Sequence, residues 1–141
     1  MEEVSPTELV EASFEQVKQS DADFPGLFYR RLFADAPQVK PLFERTDIRR
    51  QGAKLSAALV LLVENLRQPA ELEKVLVPLG AAHVAYGARP EHYPLVGAAL
   101  LATLEQVLGD AWNDELSAAW QQTLGAVVEM MLRGAGQLVD T

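Results

Sequence analysis

Cysteine is absent from all 141 residues, which excludes a disulfide framework, a thiolate zinc site and thiol nucleophiles. That absence suits a reducing compartment. Long apolar runs are missing as well. The longest unbroken run of apolar side chains is Ala57–Val63, far short of the roughly 20 residues that cross a bilayer. The N-terminal MEEVSPTELVEA is acidic and lacks the basic-then-apolar form of a signal peptide, so a cytoplasmic protein without a membrane partner is expected. Positive charge is scarce: 12 Lys and Arg stand against 20 Asp and Glu, for a net charge of −8. The charges fall as singles and pairs, as on a solvated helical surface. This balance argues against nucleic acid or anionic membrane as a partner, since both need a basic footprint. Strand signals are missing too, with no sustained alternation and no Asn-Gly or Asp-Gly hairpin turn. No G-x-S-x-G elbow or Gly-rich phosphate loop occurs. Most carboxylates stand where capping or solvent-facing residues belong.

What is present is helical punctuation. A hydrophobic share of 49% over 141 residues suits one domain spanning residues 1–141 with a core of its own. Ser5-Pro6-Thr7-Glu8 reads as an N-cap, a first-turn proline and a capping-box glutamate, ahead of an apolar face at Val10, Phe14 and Val17. A second helix begins around Asp23–Pro25, with Phe24, Leu27, Phe28 and Leu32 on one side, Tyr29 beside them and Arg30 and Arg31 facing away. Ala36-Pro37 ends it, and a helical turn carries Pro41-Leu42-Phe43 into a corner. Thr46 or Asp47 caps the next helix, whose Leu55, Leu59, Leu62, Val63 and Leu66 keep the helical period. As the most apolar segment it is expected to be central. Glu71–Leu79 is expected to be helical but interrupted at Pro78. A new turn then carries His83 to a C-cap at Gly87. Pro90 starts the next helix, with a stripe at Val96, Leu100, Leu104 and Val107. Asn113 caps the last, with Leu116, Trp120, Leu124, Val127 and Met131 as its core face. Gly134 and Gly136 are expected to let it fray. The fold class is all-α, in about seven helical segments.

With no cysteine, two histidines are the whole stock of strong soft-metal ligands. His83 follows the small pair Ala81-Ala82, and its ring can donate one nitrogen to the Leu79 carbonyl while the other binds a metal. By spacing alone, the commoner reading is an ordinary surface or core histidine. A zinc site from His83 and His92 is poor, because a glycine and a proline separate them and neither i,i+4 nor Cys-rich spacing is present. Phe28 and Phe33 read as core packing. The Tyr29 hydroxyl needs a partner if buried, and Gln51 is the candidate.

With these residues assembled, the chain resembles the globin family, most of all bacterial single-domain globins and the haem domain of flavohaemoglobins. The match is carried by FYRRLFADAPQVKPLF (28–43), QGAKL (51–55), LGAAHVAYG (79–87), PEHYPLVG (90–97) and LGDAWNDELSAAW (108–120). The resemblance implies a globin fold around haem b, with a short corner in place of a helix between Phe43 and the Gln51 helix. It implies that His83 is the axial iron ligand and that Phe43 stacks on the porphyrin, six residues after the corner proline Pro37. Tyr29 and Gln51 become the distal pair facing a bound gas, with Leu55 beside it and Val96 lining the pocket. Lys54 and Arg89 become candidates for the haem propionates. Gly52, with Gly26, would permit a close helix crossing, and His92 is a corner residue rather than a distal one. Tyr93 stands where the family buttresses its axial histidine. The glutamate that completes that buttress is replaced by Ala135, and the usual first-helix tryptophan by Phe14. The implied function is reversible dioxygen binding for storage or transport. The alternatives are nitric oxide dioxygenation and gas or sulfide sensing. The implied partners are dioxygen and other small gaseous or anionic ligands. The chain ends at Thr141 without a flavin or nicotinamide domain, so turnover is expected to need an external reductase.

Overall fold

The computed structural model describes residues 4–136. Six α-helices follow one another: α1 Pro6–Gln19, α2 Phe24–Asp35, α3 Ile48–Glu64, α4 Pro69–Ala85, α5 His92–Leu108 and α6 Asp114–Gly134. Two 3₁₀ segments, Pro37–Phe43 and Gly109–Ala111, fill corners. No strand occurs among the described residues. A four-residue corner, Glu44–Asp47, stands between Phe43 and α3 with no helix of its own.

Capping decides the helix starts, because the first amide groups of a helix lack acceptors within it. Ser5 accepts from the Glu8 N–H at 3.2 Å, Asp23 from Gly26 at 3.2 Å, Asp47 from Arg49 at 3.1 Å and Asn113 from Leu116 at 2.8 Å. Pro90 behaves differently from the expectation. It opens a tight turn, in which His92 N–H reaches the Arg89 carbonyl at 3.0 Å, and α5 begins at His92.

Pro78 does not interrupt α4, which runs unbroken through it. The proline lies on the exposed side, as does Lys74, so the carbonyl that loses its donor faces water. The helix is also clamped from the opposite side. A Cβ at Gly80 would strike the Met131 backbone, and one at Gly134 the Val77 carbonyl, so α4 and α6 meet backbone to backbone. Gly134 therefore packs rather than frays. α6 ends at that glycine, with Ala135 as its cap and Gly136 following at φ +68°.

α6 packs against α1, α4 and α5, and α5 packs against α1, α2 and α6. α5 buries Ala99, Leu100, Thr103 and Leu104, while Val96 and Val107 are half-buried. α3, expected to be central, packs only on α2 and α1 among its main neighbours, burying Gly52, Leu59, Leu62 and Val63. Its remaining apolar positions, Leu55 and Leu66, are half-buried. In α2, Phe24, Phe28, Tyr29 and Leu32 are buried, but Leu27 and Arg31 are each half-buried. A buried polar chain ties α1 to α6: Trp120 Nε1 donates to Ser13 Oγ at 2.9 Å, and Ser13 Oγ donates to the Val10 carbonyl at 3.1 Å. Phe14 lies beside it, 6.4 Å from the Trp120 ring.

Two stability tests follow from this packing. Ser13→Ala leaves the buried indole N–H without its acceptor and should cost about 1–3 kcal/mol, read as a lower denaturant midpoint at unchanged slope. Gly134→Ala should cost about 3 kcal/mol, because two backbones must separate. Gly125→Ala, in the same helix but with open space around the added methyl, should instead stabilise by about 0.5–1 kcal/mol. Equal effects at the two glycines would contradict the backbone contact.

Candidate functional site

His83 sits in the last turn of α4, where the α4–α6 clamp fixes it. Its Nδ1 lies 2.8 Å from the Leu79 carbonyl. A carbonyl can only accept, so Nδ1 donates this bond and Nε2 stays outside it. This is the arrangement an imidazole needs to bind a metal through one nitrogen while the other is oriented by the backbone. The ring is half-buried, and Tyr86, 66% exposed, meets it edge-on at 5.6 Å. Gly87 ends the helix with φ +90°, where side chains are strained. The Ala88 N–H then returns to the His83 carbonyl at 3.0 Å. Leu42 Cδ2 would stand 3.1 Å from a Cβ at Gly87, so the end of the His83 helix packs on the corner that carries Phe43.

Tyr29 belongs to an aromatic cluster. Tyr29 meets Phe28 at 4.9 Å, Phe43 at 5.7 Å and Phe33 at 6.0 Å, and Phe33 meets Phe43 at 5.4 Å. The Pro37–Phe43 segment folds the chain back so that Phe43 reaches Tyr29 in α2. Tyr29 is 5% exposed. Burial pushes its hydroxyl above the ordinary phenol value, and an interaction with Gln51 pulls the other way. Gln51 is placed by a close crossing: a Cβ at Gly52 would stand 3.0 Å from Pro25 Cβ, so α3 presses on α2. Nothing of α3 is among the three atoms nearest a Cβ at Gly26. The atoms it faces are the capping carboxylate of Asp23.

The remaining sequence candidates divide. Leu55 and Val96 are half-buried and pack against the core. Lys54 and Arg89 are exposed, and neither forms an ion pair among the described residues. His92 is committed to the corner, its Nδ1 accepting the Arg89 N–H at 3.0 Å. Tyr93 has a buried hydroxyl with no hydrogen-bond partner among the described residues, and burial raises its pKa. Ala135 supplies no carboxylate. Among the described residues no group of three or more His, Cys, Asp or Glu is gathered to hold a metal ion. A metal at His83 must therefore bring most of its own ligands. Sequence reasoning passed over Leu42 as a neighbour of the His83 helix, which nothing local signals. It also took Phe33 as plain core, although its i,i+4 spacing from Tyr29 places both on one face.

The family model for Globin matches residues 26–131. The flavohemoprotein of Rhizobium meliloti is 37% identical over 115 residues, covering 80% of this chain and 28% of that protein. That of Bacillus subtilis is 29% identical over 127 residues, covering 89% of this chain and 32% of its own length. The chain thus spans less than a third of the curated relatives it matches. Among solved structures, an engineered carbene transferase, a putative nitric oxide dioxygenase from Rhodothermus marinus, superposes with a TM-score of 0.83 at 26% identity, covering 94% of this chain and 92% of its own.

The two buried phenols give a pH test. Their raised folded values mean that the stabilisation is fully present below the unfolded value near 10.0 and is lost as pH rises through the folded values. Phenolate absorbance from Tyr29 and Tyr93 should appear late in an alkaline titration, together with a falling melting temperature. Titration of both at the ordinary value, with no loss of stability, would show that neither hydroxyl is buried.

Proposed function

This chain belongs to the globin family and takes haem b as its cofactor, and from that premise we propose that it binds dioxygen reversibly, for storage or transport. The side chains present suit the group. His83 offers Nε2 with the ring already oriented by Leu79. Phe43 offers an aromatic face to a planar ring, and Leu55 and Val96 give it apolar walls. Lys54 and Arg89 are exposed cations able to meet its carboxylates. Ferrous haem supplies the gas-binding chemistry, pushing electron density onto a diatomic ligand. The protein's own contribution is hydrogen bonding and exclusion of water.

The observation that carries the reading is the Tyr29 hydroxyl, buried, held neutral and beside Gln51. A neutral phenol donates, and a side-chain amide donates through its NH₂. Each bond to a negatively polarised ligand in a desolvated pocket is worth about 1–3 kcal/mol. Carbon monoxide develops less charge and gains less. The pair therefore retains dioxygen selectively and resists its loss as superoxide.

A second reading, nitric oxide dioxygenation with an external reductase, is favoured by the likeness to the putative nitric oxide dioxygenase and to flavohemoproteins. The same Tyr29–Gln51 pair serves it. The Tyr93 hydroxyl has no acceptor among the described residues, and no carboxylate among them polarises it to strengthen electron donation from the axial side, which weighs toward binding.

Tyr29→Phe should speed dioxygen release about 5- to 100-fold, the loss of one such bond, with carbon monoxide release nearly unchanged. Stopped-flow spectrophotometry of the haem-loaded protein, with its Soret band as the check on loading, reads both rates. An unchanged dioxygen rate would remove Tyr29 from the role.

A further inference from the structure

The chain is acidic as a whole, yet Lys40–Lys54 is basic. These fifteen residues hold five cations, Lys40, Arg45, Arg49, Arg50 and Lys54, against Glu44 and Asp47. Seven of the 12 basic side chains and eighteen of the 20 acidic ones are left for the rest. All five cations are exposed. Of those seven cations, Lys18, Arg67, Lys74 and Arg133 are each paired, while Arg30, Arg31 and Arg89 have no partner among the described residues. None of the five is paired among the described residues. Asp47 is already committed to capping α3, and the start of that helix adds its own positive end. The same stretch carries Phe43 and Gln51, so the basic surface borders the candidate haem site.

We propose that this corner and the start of α3 form the docking surface for an acidic electron-transfer protein that keeps the iron ferrous. The inference rests on the haem reading above, since dioxygen binding and dioxygenation alike need reduced iron. A negative body with one positive face orients an acidic partner during approach and repels it elsewhere. In the step itself a flavin hydroquinone on the partner gives one electron and becomes a semiquinone, and ferric iron becomes ferrous. No bond in this chain is made or broken.

The test uses the haem-loaded protein and a flavodoxin, an acidic flavoprotein, as the probe. Binding is read by calorimetry and reduction of ferric haem by stopped flow, each at low and at near-physiological salt. Arg45→Glu, Arg49→Glu and Arg50→Glu are combined. Glutamate suits a helix start, and Lys54 is left intact as a haem-binding candidate. Lys18→Glu with Lys74→Glu is the control, equal in sign but remote in the chain. Binding and reduction by the triple variant should fall at least about tenfold at low salt, and most of the salt dependence should vanish. The control should stay within about twofold of the native protein. Equal behaviour of the native protein and the triple variant overturns the proposal. So does a salt-independent rate, or tighter binding of the native face to anionic lipid vesicles or DNA than to flavodoxin. Loss of the Soret band in the native protein would fail the haem reading by itself, while calorimetry still reports whether the face binds.

Discussion

Gly80 and Gly134 let the backbones of α4 and α6 touch, and the placement of His83 depends on that contact. A helix carrying an internal proline has lost one hydrogen bond and carries a local clash. α4 stays whole because α6 grips it just beyond Pro78, and because the freed carbonyl lies on the solvent side. His83 follows three residues after Gly80. A side chain at either glycine would push α4 outward and move the imidazole with it. The interaction that fixes the ring, Nδ1 to the Leu79 carbonyl, lies within α4 itself and so travels with the helix as a unit.

The aromatic cluster has a different origin. Pro37 and the 3₁₀ segment fold the chain so that Phe43 meets Tyr29 and Phe33. Gly52 brings the start of α3 against Pro25, which sets Gln51 near the Tyr29 phenol. The Phe43 corner and the end of the His83 helix meet through Leu42, which packs against Gly87. The candidate site is thus built by close approaches at small residues. Tyr93, whose buried hydroxyl has no partner among the described residues, lies at the start of α5.

Charge is distributed unevenly. The overall balance of −8 hides a basic corner, because a sum over the chain averages away a local reversal of sign. The exposed ion pair between Arg67 and Glu11, at 2.8 Å, ties the α3–α4 turn to α1. Exposed pairs of this kind contribute little to stability. They contrast with the cations of the corner, which have no partner among the described residues.

Much of this protein was readable in the chain alone. The caps Ser5, Asp47 and Asn113 were readable because an orphan amide and an acceptor side chain lie within three residues of each other. The bond from His83 to Leu79 was readable because four residues make one helical turn. The aromatic and glycine motifs carried the resemblance to globins, and the family model bears that out. Other features were decided only by the fold. That Pro78 does not break its helix, that Gly134 packs against α4, that α3 packs only on α1 and α2 among its main neighbours, and that Ser13 bonds Trp120 across 107 positions all depend on segments distant in sequence. Periodicity and capping report what one helix does with its own neighbours. Which backbone lies close enough to forbid a Cβ, or which indole needs a hydroxyl, is fixed only when two helices meet.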